Sequence, residues 1–197
     1  MITFRLVLFL NCFIVLINAD AQIRYGVKAG LNIADVVINN VVDPDAEADY
    51  KSKPGPHAGI FITFDGDQTG FGAELLYSNK GVKAVTNISF HYIAVPLLFR
   101  YHLSEYFVAE GGPEIGYLVN ASSKHGNLNH IWDNKLDLGL DIGIQYKGLS
   151  KIVVGMRFNA GISSVIRNAA VSTGERIRYQ NRVLQLSAGY IIGQAKD

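Results

Sequence analysis

The chain is nearly without cysteine. Of 197 residues only Cys12 carries a thiol, and it lies close to the N-terminus. A domain built from the rest cannot rely on disulfides, even if it is exported. Proline is scarce too, with five residues. Charge of one sign is also missing: 18 Lys and Arg stand against 17 Asp and Glu, a net of +1, which argues against a nucleic-acid surface. Beyond the N-terminal stretch no segment approaches the run of about 18 apolar residues that a membrane helix needs. Spanning by helices is therefore excluded for that part of the chain.

What is present begins with a targeting pattern. Arg5 is followed by the apolar run Leu6 to Ile17, and then by Ala19-Asp20-Ala21, an A-x-A cleavage site. The run is too short for a comfortable membrane helix. Residues 1–21 are expected to be a cleaved signal peptide, with Gln22 the mature N-terminus and one domain over 22–197. Asn11 before Cys12, and the apolar run continuing past it, argue against a lipoprotein.

Glycine (20), tyrosine (10) and phenylalanine (10) are plentiful. This suits strands and membrane-interface aromatics. Eight segments then show a period of two, the signature of strands with two unlike faces. In the first, Tyr25, Val27, Ala29, Leu31 and Ile33 alternate with Arg24, Gly26, Lys28, Gly30 and Asn32. The sixth is the cleanest: Leu136, Leu138, Leu140, Ile142, Ile144 and Tyr146 alternate with Lys135, Asp137, Gly139, Asp141, Gly143 and Gln145. The others begin at residues 57, 71, 92, 107, 152 and 183. Each has about the ten residues a tilted transmembrane strand requires. One face is apolar and uncharged throughout; the other mixes charge, glycine and polar groups. Aromatics recur near segment ends, as in a membrane girdle.

The connections alternate in length. Ala34 to Pro56 is long, Gly66 to Thr69 tight, Asn79 to Asn87 intermediate and Ser104-Glu105 near minimal. Asn120 to Asn134 is long, Lys147 to Lys151 short and Ser163 to Asn181 long. This predicts an all-β fold, an eight-stranded antiparallel up-and-down transmembrane β-barrel in the outer membrane of a Gram-negative envelope. Both termini and the short turns would face the periplasm and the long loops the exterior.

Three stretches carry a family resemblance: Tyr25-Gly26-Val27-Lys28-Ala29-Gly30-Leu31-Asn32, Tyr92 to Tyr101 (YIAVPLLFRY) and Glu110 to Tyr117 (EGGPEIGY). In order and spacing they resemble the outer-membrane β-barrel family that includes PorT-like proteins, over essentially the whole mature chain. The resemblance implies an outer-membrane barrel. The secretion role associated with PorT does not follow from it. One departure is that Tyr190-Ile191-Ile192 is followed by Gly193 to Asp197, so an aromatic C-terminal insertion signal would be internal or atypical.

On this reading Lys28, Glu74, Arg100, Glu110, Glu114, Asp137, Asp141 and Arg157 face the lumen. Eight strands leave a lumen that side chains just fill. Buried charges must be paired, so a salt-bridged plug with no open pore is expected; a proton or small-ion path is the sharper alternative. Pro96, in mid-strand, removes a ladder hydrogen bond, and a bulge is expected there. Ser89 and His91 share a face as in some lipid hydrolases, but neighbouring faces offer no carboxylate to orient the histidine. His125, His130 and Asp133 match no standard zinc spacing. No catalytic residue, metal or cofactor is assigned. The expected partners are outer-membrane lipid and an unknown protein or envelope component met by the outer loops, which contain Tyr50, Ile131 and Trp132. Two alternatives remain at this stage: a soluble exported lipocalin-like barrel, its apolar faces turned inward around an apolar ligand, and a lipid-modifying outer-membrane enzyme.

Overall fold

The computed structural model describes residues 22–39, 51–83, 87–123, 126–128, 134–164 and 178–196. Residues 1–21, Tyr50, His125, His130, Ile131, Trp132 and Asp133 lie outside them. The barrel strands are β1 (Gln22–Asn39), β2 (Lys51–Asp65), β3 (Thr69–Lys83), β4 (Asn87–His102), β5 (Phe107–Ser123), β6 (Leu136–Leu149), β7 (Ile152–Gly161) and β8 (Arg178–Lys196). Each pairs antiparallel with its sequence neighbours, and the pair Gly126–Asn127 folds back onto the end of β5. Pairing of β1 with β8, from Gln22↔Lys196 to Asn39↔Arg178, closes the sheet. Closure leaves the ring of eight strands without a free edge, which a bilayer demands because unpaired backbone groups find no water there.

The apolar faces point outward. Leu31, Ile60, Leu75, Leu97, Ile115, Leu140, Ile142 and Ile192 are all exposed, Ile142 by 70 %. An aqueous barrel with an apolar lumen is therefore excluded. Aromatics ring the end of this wall that carries the termini, the end expected to face the periplasm, among them Tyr25, Phe64, Phe99, Tyr101, Phe107 and Tyr190, with Tyr77 and Tyr117 at the other end. From Tyr25 to Ile33 the wall climbs eight steps of about 3.3 Å on strands tilted by about 40°, roughly 20 Å of height, close to the usual apolar band of about 25 Å.

Above that band the pattern inverts. On β4, Ile93, Leu97 and Phe99 face out below, whereas His91, Ser89 and Asn87 face out above, and Phe90 and Tyr92 turn inward and are fully buried. Val36, Val82, Phe90, Tyr92, Leu118 and Ala121 form one apolar cluster there, with Ile88, Leu128 and Tyr179 packed on it. The strands thus continue beyond the membrane as a small water-facing barrel with an ordinary apolar core.

Three expectations change accordingly. The connection read over Asn79 to Asn87 shrinks to residues 84–86, because Asn79↔His91 to Lys83↔Asn87 continue the β3–β4 ladder. The loop read over Ala34 to Pro56 is strand at both ends, and Pro54 and Pro56 lie within β2. The β1–β2 register runs past both prolines unbroken, while the β2–β3 register shifts between Ser52 and His57. The missing N–H groups fall where that ladder is already interrupted. Pro96 makes no bulge: Ala73↔Leu97 and Leu76↔Ala94 share one register on either side of it. The shift in β4–β5 lies instead between His91 and Tyr92.

Candidate functional site

Among the described residues, the lumen is where the chain concentrates charged and polar side chains. Period-two alternation brings side chains from all eight strands to the axis, and all eight sequence-predicted residues are there and buried. Arg157 on β7 is the hub. Its Nε and Nη2 donate to Glu110 Oε1 at 2.9 and 2.6 Å, and Nη1 and Nη2 donate to Glu74 at 3.0 and 2.8 Å. Lys28 Nζ, two strands away on β1, donates to Glu74 Oε1 at 2.5 Å. The planar guanidinium fork suits such a double carboxylate clamp, and a lysine would not replace it.

Toward the periplasm, Arg100 Nε donates to Asp65 Oδ1 at 2.8 Å and Nη1 to Gln145 Oε1 at 3.0 Å. Glu110 and Arg24 each lie 3.4 Å from this group, Glu110 from Arg100 and Arg24 from Asp65. Toward the exterior, Lys80 Nζ donates to Glu114 Oε1 at 2.9 Å and to Asp137 Oδ2 at 3.2 Å, and stands 5.0 Å from the centre of the Tyr92 ring. Asp137 also accepts from Asn181 Nδ2 at 2.8 Å and Ser163 Oγ at 3.1 Å. Asp141 accepts from Asn159 Nδ2 at 2.7 Å and lies 3.8 Å from Arg157. A neutral layer sits against the network: His57 Nδ1 meets Asn32 Oδ1 at 2.8 Å. The His57 ring lies over Gly30, where a Cβ would come within 2.7 Å of it.

Sequence reading missed Lys80, and it set Asp65, Arg24, His57 and the amide partners Asn32, Gln145 and Asn159 on the polar faces without assigning them to the charge network. Lys80 lay past the end of the recognised third segment, although it keeps the even-number parity of Glu74, Leu76 and Ser78; that parity was the available signal. Asp65 sat on the correct face but beside a turn.

The lumen charges balance. Arg24, Lys28, Lys80, Arg100, Lys147 and Arg157 face Asp65, Glu74, Glu110, Glu114, Asp137 and Asp141. The balance is uneven along the axis. Lys80 alone serves Glu114 and Asp137 near the exterior, while the cations outnumber the carboxylates near the periplasm. The lower lumen holds a cavity of about 20 Å³ among Arg24, Lys28, Glu74, Arg100 and Lys147, room for roughly one water molecule. Above the network the apolar cluster around Phe90 and Tyr92 fills the outer mouth. Such an arrangement ties the strands to one another across the lumen.

Ser89 and His91 lie on the outer wall above the membrane band. Ser89 pairs with Gly81 and Ser122 across its two ladders. His91 Nδ1 meets Tyr77 Oη at 2.6 Å and Asn79 Nδ2 at 3.3 Å. The orienting partner is a phenol and not a carboxylate.

The chain belongs to the outer membrane protein beta-barrel domain family, whose match covers residues 18–167. No curated protein matches the sequence. Among solved structures, it is similar to Ail, the attachment invasion locus protein of Yersinia pestis, with a TM-score of 0.51 and 15 % identity over 88 % of this chain and 99 % of that one. A second structure of Ail, in complex with the heparin analogue sucrose octasulfate, gives 0.50 and 14 % over the same shares. Neisserial surface protein A gives 0.51 and 13 %, over 84 % of this chain and 96 % of its own. At these identities the likeness shows the fold, a small closed outer-membrane barrel, and no residue role.

Proposed function

We propose that the protein is a non-catalytic outer-membrane barrel that presents its exterior loops to a protein or envelope partner, while its lumen serves only as a structural plug. One observation supports this reading: the Arg157-centred ion network and the apolar cluster above it set two successive layers of side chains across the lumen. A shut barrel has no solute path to regulate, so contact falls to what it displays outside. Residues 1–21 act in this reading as a cleaved leader, and 22–197 form the one domain. The finer assignment to a PorT-like branch rests on the Tyr25 to Asn32, Tyr92 to Tyr101 and Glu110 to Tyr117 stretches, taken in their order and spacing. Binding of a heparin analogue by Ail lends support, since a barrel of similar shape there carries a ligand contact.

The test is loop replacement. Residues 40–50, 124–133 and 165–177 are exchanged for short Gly-Ser connectors, and cross-linked partners are compared with those of the intact chain. The altered barrel is expected to stay heat-modifiable on gels and to lose its cross-linked partners. Retention of the same partners without the loops would overturn the reading.

A further inference from the structure

The outer wall carries a cluster of cations just where the polarity of the strands inverts. The β2–β3 register shift places Lys53 across Gly81, where an added Cβ would come within 3.2 Å of Lys53 Cδ. Lys53 Nζ thereby reaches Asn79 Oδ1 at 3.5 Å, and Asn79 faces His91 across the β3–β4 ladder. Lys83, exposed at the end of β3, stands directly opposite Lys51. Partial burial and the charge of Lys83 hold the Lys53 ammonium below the ordinary lysine range, and burial and the charge of Lys53 hold the His91 ring below the ordinary histidine range. The nearby carboxylate among the described residues is Asp35, which accepts from the Val36 N–H at 2.8 Å and the Ser52 hydroxyl at 3.3 Å. The Tyr77 hydroxyl and the Asn79 amide both engage Nδ1 of His91, which leaves Nε2 for a further contact.

We propose that Lys53, Lys83 and His91 form a binding site for the phosphate headgroup of an anionic lipid of the outer leaflet. The proposal rests on the outer-membrane placement of the barrel. Position favours a lipid as the source of the phosphate. Directly below the cluster, Leu75, Tyr77 and Ile93 stand exposed on the wall. A phosphate held by the lysines would thus have its acyl chains already against apolar surface. The cluster also supplies the charge complement that interfacial lysines offer to anionic lipids.

The test uses the mature chain in phosphatidylcholine nanodiscs doped with bis-phosphorylated lipid A or with the same lipid stripped of both phosphates. Native mass spectrometry counts the lipid A retained per barrel. The phosphorylated form is expected to be retained about 10-fold better, with the preference lost in a Lys53→Gln, Lys83→Gln double variant that stays heat-modifiable. Equal retention of the two lipids, or an unchanged preference in the double variant, would overturn the site. Displacement of bound lipid A by excess inorganic phosphate would assign the site to free phosphate and overturn the lipid proposal. A chain that enters nanodiscs without heat-modifiable mobility would refute the membrane-barrel reading itself, a result distinct from failure of the headgroup site.

Discussion

Arg157 shows how a single residue organises the interior. It meets both Glu74 and Glu110, so truncation leaves two buried carboxylates short of a partner. Breaking a buried pair by removing one member costs about 3–5 kcal/mol. Arg157→Gln is therefore expected to lower stability by about that amount in urea unfolding from phospholipid vesicles; a change near zero would mean that the carboxylates find other partners. Lys80 tests the same physics from the other side. Lys80→Met alone strands Glu114 and Asp137, whereas Lys80→Met with Glu114→Gln and Asp137→Asn leaves no unpaired charge. The triple variant is expected to recover most of the loss, because the penalty lies in the orphaned charge. Alternation was enough to place the eight original lumen residues in the sequence. It could not join them: that Arg157 meets Glu74 across the barrel depends on closure and stagger, which no local pattern encodes. Lys80 went unseen because its neighbours Asn79 and Gly81 are not apolar, so the outer-face signal had already ended.

At the scale of the strand, polarity inversion sets both where the membrane ends and where sequence reading ended. β1, β5 and β8 run past the segments recognised from alternation, because above the bilayer the apolar residues change sides. Val36, Phe90 and Leu118 point inward where Leu31, Ile93 and Tyr117 point outward. Pro54 and Pro56 compounded the misreading, since paired prolines normally mark a loop and here lie in β2 beside an interrupted ladder. The inversion can be measured. In a Trp132→Phe background, Leu97→Trp fluorescence is expected to be quenched by brominated acyl chains and Ser89→Trp fluorescence to be spared. Quenching of both would place the boundary higher on the barrel. Ile142→Arg, on the lipid face, is expected to destabilise by about 2–4 kcal/mol if its site lies near the bilayer midplane, read by the same urea titration.

For the whole molecule, closure turns the strands into a device with two unlike ends. One end carries the termini, tight turns and a ring of aromatics; the other carries an apolar cluster, basic side chains and the longer connections. Class, compartment and strand number were legible in the sequence because a lipid-facing wall forces charge off one face of every strand. The outer cap was not legible, since its residues read as the frayed ends of loops. A barrel shut by ions and by an apolar cap should pass no solute. The most direct check is planar-bilayer conductance of the folded, heat-modifiable protein. A flat current with no porin-like steps is expected; discrete ohmic steps that persist after repurification would contradict a closed lumen and turn attention to the Arg24–Lys147 mouth.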